Sequence, residues 1–367
     1  MHLRNSLAFV PILLILLLTV AAGAQDSFPS GVPSPPEKAK PDPKAADPKT
    51  ADPQSAAPAA DPQNDPPPAA KSGQSSPTQS EQEQGGFVFH KQVDEVLLHA
   101  TVVDDKQRMV TNLDKSAFTV FEDGKPQTII SFRHEDIPVA MGIVIDNSGS
   151  MREKRDKVNK AAINLVKASN SQDQVFIVNF NDEYYLDQDF TADLNKLREA
   201  LEKVETRGGT ALYDAVVASG EHLKKNGKLE KKVLFVVTDG EDNASRESLE
   251  QAIKRLQEEN GPTVYSIGLL GEERQRRAKK ALQLMSERTG GISFFPKTLD
   301  EVDEISKQVA HDIRNQYTLG YKPSNPKSSG GYRQIKVEAK SKGYGKLTVR
   351  TKSGYYAGQE RASTTGD

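Results

Sequence analysis

Asp146, Ser148 and Ser150 alternate with Asn147 and Gly149 in one pentapeptide, so a carboxylate and two hydroxyls stand two residues apart across a turn. Side chains spaced in this way can aim their oxygens at one centre, and an oxygen-only donor set suits a hard divalent cation. A plainer reading stands beside this one. An Asp or Ser at a strand end also serves as an N-cap, accepting from the first free amides of the helix that follows. Two distant stretches weigh toward the ion. Gly208-Gly209-Thr210 brings a hydroxyl to the start of another helical pattern, and Val233-Leu234-Phe235-Val236-Val237-Thr238-Asp239-Gly240 brings a second carboxylate to the end of an apolar run.

Loops can hold such a centre only if rigid elements carry them. Pro138 to Ile145 is an apolar run that ends at Asp146, and it reads as a buried strand. After it, Val158, Ala161, Ala162 and Leu165 recur at helical spacing, and Gln174 to Phe180 is a second strand. Helix faces follow at Leu194-Leu197-Leu201-Val204, Leu249-Ile253-Leu256 and Ala278-Leu282-Met285, with strands at Thr263 to Ile267 and Ile292 to Phe295. Gly290-Gly291 stops one helix, and a last helix spans about Leu299 to Arg314. Apolar strands separated by helices predict an α/β fold with a doubly wound, mostly parallel sheet covered on both faces. In such sheets ligands collect at the carboxyl ends of strands, where these three loops fall.

Taken in order, the three motifs resemble those of the von Willebrand factor A domain with its metal-ion-dependent adhesion site, over roughly residues 137–313. The resemblance implies a Rossmann-like sheet and places the family's metal ligands on Asp146, Ser148, Ser150, Thr210 and Asp239, all five residue types being intact. Not all five can bind directly and leave an open position, so some are expected to act through water. Mg²⁺, which keeps its waters, is expected ahead of Mn²⁺ or Ca²⁺. The resemblance further implies a protein or peptide ligand whose exposed Asp or Glu completes the shell, and no enzymatic activity. In the family, exchange of metal ligands is linked to movement of the last helix; here a switch of that kind and a rigid site both remain open.

The start of the chain reads differently. Arg4, the apolar run Leu7 to Val20 and the Ala22-Gly23-Ala24 ending form a secretory signal peptide, residues 1–24, with cleavage after Ala24. An uncleaved anchor is the rival reading, but the apolar core is shorter than the ~20 residues that span a bilayer. No membrane span is expected after cleavage, and the address is secreted or periplasmic. Residues 25–86 are rich in Pro, Ala, Asp, Lys, Ser and Gln, with near-repeats at Ala46-Asp47-Pro48-Lys49, Ala51-Asp52-Pro53-Gln54 and Ala60-Asp61-Pro62-Gln63. Such a composition buries too little to offset the entropy of ordering, so a disordered linker is predicted.

Two β segments flank the α/β region. In residues 87–136, Val96 to Val103, Ala117 to Phe121 and Gln127 to Phe132 are strand-like, with Glu122-Asp123-Gly124-Lys125 as a hairpin turn. In residues 314–358, Tyr317 to Tyr321, Tyr332 to Glu338 and Leu347 to Arg350 are strand-like; residues 359–367 read as a disordered tail. Each set lacks a covering layer, so one β-sandwich built from both ends, with the α/β domain inserted, is the expectation. Two separate β units are the alternative. Phe118 to Gly124, Tyr317 to Tyr321 and Ser353 to Tyr356 are also similar to segments of exported A-domain proteins of the acidobacterial type, which implies a bacterial envelope or secreted protein.

Composition narrows the function classes. The formal charge of −2 in 367 residues becomes −3 without the leader, and nothing in it points to nucleic acid or an anionic membrane. There is no cysteine in a chain read as exported, so the core must stabilise itself without disulfides. No Gly-x-Ser-x-Gly elbow, phosphate-cradling Gly-x-x-x-x-Gly-Lys loop or His-Glu-x-x-His is present. His90, His99, His134, His222 and His311 lie outside the three loops, which leaves Asp214 and Asp242 as candidates for a base in a Mg²⁺-dependent hydrolase. Both are more simply read as loop or solvated residues, and Lys224-Lys225 and Lys231-Lys232 as solvated ends of a helix and a strand. A structural envelope protein with a purely stabilising metal is the remaining alternative.

Overall fold

The computed structural model describes residues 95–270 and 276–358. The expected leader, the linker, the first residues of the N-terminal β segment and the tail lie outside the described residues. The first strands are β1 (Val96–Val103), β2 (Phe118–Glu122), β3 (Lys125–Gln127) and β4 (Ile129–Arg133). The turn between β2 and β3 places Asp123 at φ 49° and Gly124 at φ 76°. Two successive left-handed residues match the right-handed twist of a tight hairpin, which is why Asp-Gly stands there.

The α/β region follows as β5 (Val139–Asp146), α1 (Arg155–Ala168), β6 (Gln174–Phe180), β7 (Tyr184–Thr191), α2 (Leu194–Glu202), α3 (Leu212–Asn226), β8 (Lys231–Thr238), α4 (Leu249–Leu256), β9 (Thr263–Gly268), α5 (Arg276–Thr289), β10 (Ser293–Phe294) and α6 (Glu301–Arg314). Its sheet runs β10-β9-β8-β5-β6-β7. All pairings are parallel except that of β7, which lies antiparallel on β6. Every residue of β5 is buried, as a central strand requires. Its side chains alternate between layers. Met141, Ile143 and Ile145 pack with α1, α2 and α6, whereas Ala140 and Val144 pack with α3, α4 and α5. Gly142 is needed where Phe176 crosses, since a Cβ there would stand 2.4 Å from its ring tip.

The chain leaves β5 for β6 on one side and later returns to β8 on the other. Strand order therefore reverses at β5, and the crevice at the carboxyl ends of β5 and β8 is the topological switch point.

Beyond α6 come β11 (Tyr317–Tyr321), β12 (Gly331–Ala339), β13 (Thr348–Arg350) and β14 (Gly354–Ala357). They form two four-stranded sheets with the N-terminal strands, in the orders β13-β1-β11-β4 and β14-β12-β2-β3. Leu98, Val120, Ile129, Tyr317, Tyr321, Ile335 and Tyr355 belong to one buried cluster drawn from both sheets and both ends of the chain.

Three expectations need correction. The predicted run Gln127 to Phe132 is not one strand: it breaks at Thr128, β3 pairing with β2 and β4 with β11. Pro126, which lacks an N–H, sits on the outermost strand of its sheet. Strand β7 was not anticipated, because seven of its eight residues are polar or exposed and only pairing with β6 makes it a strand. Lys231 is not a solvated strand end: it is buried, and its ammonium donates to the carbonyl of Ile313 at the end of α6. Burial lowers its pKa to about 8.

Candidate metal and ligand site

Asp146 is the last residue of β5 and is fully buried. Its Oδ1 accepts the backbone N–H of Ser148 at 2.8 Å, and its Oδ2 accepts the hydroxyl of Thr238, the last residue of β8, at 2.5 Å. Burial pushes the Asp146 carboxyl above its ordinary pKa, with the Asp239 charge acting in the same direction. The hydrogen bonds from Thr238 and Ser148 pull it down in part. A carboxylate held this way gains from a nearby cation.

After Ser148 the chain takes a short 3-10 turn, Gly149–Met151, anchored by the buried Met151 side chain and by its N–H donating to the Ser148 carbonyl at 3.1 Å. The turn brings the Ser148 and Ser150 hydroxyl oxygens within 3.2 Å of each other. Ser150 Oγ donates to Asp239 Oδ1 at 2.7 Å, joining the first loop to the third. Lys154 pairs with Asp239 Oδ2.

The second loop is tied to both others. Arg207 N–H donates to the Asn147 carbonyl at 2.9 Å, and Gly149 N–H to the Gly208 carbonyl at 3.3 Å. Gly208 takes φ 75°, a conformation that favours glycine, and Gly209 N–H donates to Asp182 Oδ1 at 2.7 Å. Thr210 is buried; its N–H donates to Asn243 Oδ1 at 2.9 Å, and its carbonyl accepts from Asn243 and Ala244. A Cβ on Gly240 would stand 3.3 Å from Thr210 Oγ1, so the residue after Asp239 is small where the two loops meet.

Ser150, Thr210 and Asp239 line one cleft of about 580 Å³, together with Lys154, Leu269 and Arg277. The arrangement brings three hydroxyls and two carboxylates, from three loops, to one end of the sheet. Such a donor set fits a hard cation that retains water, with Asp146, Ser148, Ser150, Thr210 and Asp239 as the residues able to hold it. The buried side-chain amide of Asn147, within the first loop, has no hydrogen-bond partner among the described residues.

The candidate bases are otherwise engaged. Asp214 accepts the N–H groups of Arg246 and Glu247, and Asp242 accepts from Tyr213 N at 3.1 Å and Ser245 Oγ at 2.5 Å. Asp242 is thus a structural link to the first turn of α3 rather than a merely solvated residue. His99 contacts Thr318, His134 stacks on Tyr317, His222 lies between Asp189 and Asn226, and His311 contacts Asn315; His90 lies outside the described residues. Sequence reasoning passed over Thr238, Asn243, Asp182 and Lys154. Of these only Thr238 carried a local signal, standing beside Asp239 at the end of an apolar run.

Residues 141–241 match the family model described as von Willebrand factor type A domain. Among solved structures, the chain is similar to a von Willebrand factor type A protein from Catenulispora acidiphila, with 14% identity over 73% of this chain and 74% of that one and a TM-score of 0.43. It is also similar to the von Willebrand factor domain of a type V pilus tip protein from Porphyromonas gingivalis, with 12% identity over 48% and 97% and a TM-score of 0.39. A third is the PilB minor pilin from Streptococcus sanguinis, with 15% identity and a TM-score of 0.42, where 49% of this chain spans 62% of the pilin. No curated protein matches the sequence. Among the described residues no helix is long and apolar enough to cross a membrane.

Proposed function

We propose that this is an exported adhesion protein that binds a protein or peptide ligand through a divalent ion, Mg²⁺ ahead of Mn²⁺ or Ca²⁺, held by Asp146, Ser148, Ser150, Thr210 and Asp239. The observation that carries the reading is the convergence of loops at the switch point: Ser148 and Ser150 Oγ lie 3.2 Å apart, and Ser150 Oγ bonds Asp239 at 2.7 Å. When bound, the ion supplies an electrophile that attracts one further carboxylate, here an exposed Asp or Glu of the ligand. The chain's own part is to hold the hydroxyls on one side of the 3-10 turn, to keep Asp146 oriented through Thr238, and to leave the cleft open above Ser150, Thr210 and Asp239.

We read the site as one for binding rather than turnover, because Asp214 and Asp242 are committed to loop hydrogen bonds. We also read the two flanking sheets as one sandwich-like module, made from residues 95–136 and 314–358, that holds the α/β domain between them. Titration calorimetry with Mg²⁺, followed by pull-down from bacterial envelope extract with wild type and Asp146→Ala, tests the function. Uptake by the wild type alone and Mg²⁺-dependent capture of a partner support it. Absence of divalent uptake, or capture unaffected by chelation, overturns it.

A further inference from the structure

Lys154 is the residue immediately before α1, at its N-cap, and it makes no side-chain cap. Its backbone N–H donates to the Met151 carbonyl at 2.9 Å, and its own carbonyl accepts from Val158 at 3.1 Å, so the turn that positions Ser150 also fixes where this side chain starts. A lysine is a poor choice here for the helix itself. It cannot accept from the free amides as Ser or Asp would, and its charge meets the positive end of the helix dipole. What it does instead is pair with Asp239, whose side chain is 1% exposed against 29% for Lys154. One carboxylate that the third loop offers to an ion is therefore already neutralised by a cation of the same chain.

An ammonium and a divalent ion repel strongly at contact distance in a partly buried site. Sharing the one carboxylate is therefore unfavourable, and loading favours departure of the lysine from Oδ2. Its flexible four-carbon stem permits that, and its head already reaches the cleft that Arg277 also lines. We propose that Lys154 is a built-in competitor for the metal: it holds Asp239 while the site is metal-free, is displaced on loading, and then stands at the cleft as a cation for the incoming acidic ligand. The inference rests on the reading of the five-residue site given above and adds a determinant of its affinity. Because displacement costs interaction with Asp239, the ion binds less tightly than the five donors alone would hold it. A ligand carboxylate that engages the freed ammonium strengthens ion binding by the same factor as the ion strengthens ligand binding.

Titration calorimetry of Mg²⁺ into the full-length wild type, Lys154→Met, Lys154→Gln and Lys154→Arg, at neutral pH and low salt, tests the inference. Both neutral variants are expected to bind Mg²⁺ about tenfold more tightly than wild type, within the usual range of coupling between sites, while Lys154→Arg stays close to wild type. Thermal unfolding of the metal-free forms adds a second readout: the neutral variants should be less stable than wild type without Mg²⁺ and should gain more from its addition. Equal or weaker Mg²⁺ binding in both neutral variants, with wild type binding normally, overturns the competitor role and leaves the metal site standing. Binding by the neutral variants alone supports it. No uptake by any of the four proteins overturns the metal site and this inference together.

Discussion

Thr238 and Asp146 end two neighbouring parallel strands, and the hydroxyl of the first donates to the carboxylate of the second at 2.5 Å. Neither residue is accessible to solvent. The buried carboxylate thus depends for orientation on a side chain 92 positions away. Thr238→Val keeps the shape and removes the donor. It should lower stability by about 1–3 kcal/mol, the cost of an unsatisfied buried acceptor. It should also weaken Mg²⁺ binding about tenfold, as loss of a group that orients a metal ligand does. Urea unfolding and calorimetry check the two effects separately, and unchanged values in both would remove Thr238 from the site.

Gly240 tests the approach of the second and third loops. Its missing Cβ would lie 3.3 Å from Thr210 Oγ1, so Gly240→Ala must shift the hydroxyl or the loop by a few tenths of an ångström. Mg²⁺ affinity should fall roughly tenfold, with the unfolding midpoint little changed. An unaltered affinity would mean that the Thr210 hydroxyl takes no part in holding the ion.

Asp312 joins the last helix to the flanking sheets. Its carboxylate accepts from Tyr265 Oη of β9 at 2.7 Å and from Arg350 Nη2 of β13 at 2.8 Å. Removing one partner of such a buried set strands the others, so Asp312→Ala should cost about 3 kcal/mol. The change should appear as a lower urea midpoint at constant m-value. If α6 also moves on loading, the same variant should increase hydrogen exchange over residues 299–323. Exchange that is identical in wild type with and without Mg²⁺ and partner would favour the rigid site.

Asp173 gives a pH dependence. It is buried beside the start of β5, accepting from Val139 N at 2.8 Å and Asn170 N at 3.1 Å, and burial raises its pKa to about 6. An unfolded chain releases that proton near pH ~4. Between about pH 4 and 6 the folded protein therefore binds more protons than the unfolded one, and its stability falls as pH rises through that window, then stays level. Relative to Asp173→Asn, the wild type should lose about 2–3 kcal/mol across it. Parallel stability curves for the two proteins from pH ~4 to ~7 would contradict the raised value.

What the residues alone determined is local in origin. The runs Val139 to Ile145 and Val233 to Val237 are apolar because central parallel strands are covered on both faces, and such runs announce themselves without a partner. The Asp123-Gly124 hairpin and the left-handed Gly208 before α3 follow from backbone preferences of a few neighbouring residues. Tertiary structure decided the rest, because the deciding partner lies far along the chain. Strand β7 exists through its pairing with β6, not through its own pattern. Thr128 is a corner because Ile129 must join the shared core while Lys125 to Gln127 stay with β2. Lys231 is buried because the end of α6 offers it a carbonyl, and Lys154 reaches Asp239 because the turn after Ser150 aims it there. Charge and hydropathy describe what a side chain tolerates; only the packed fold determines which distant group it meets.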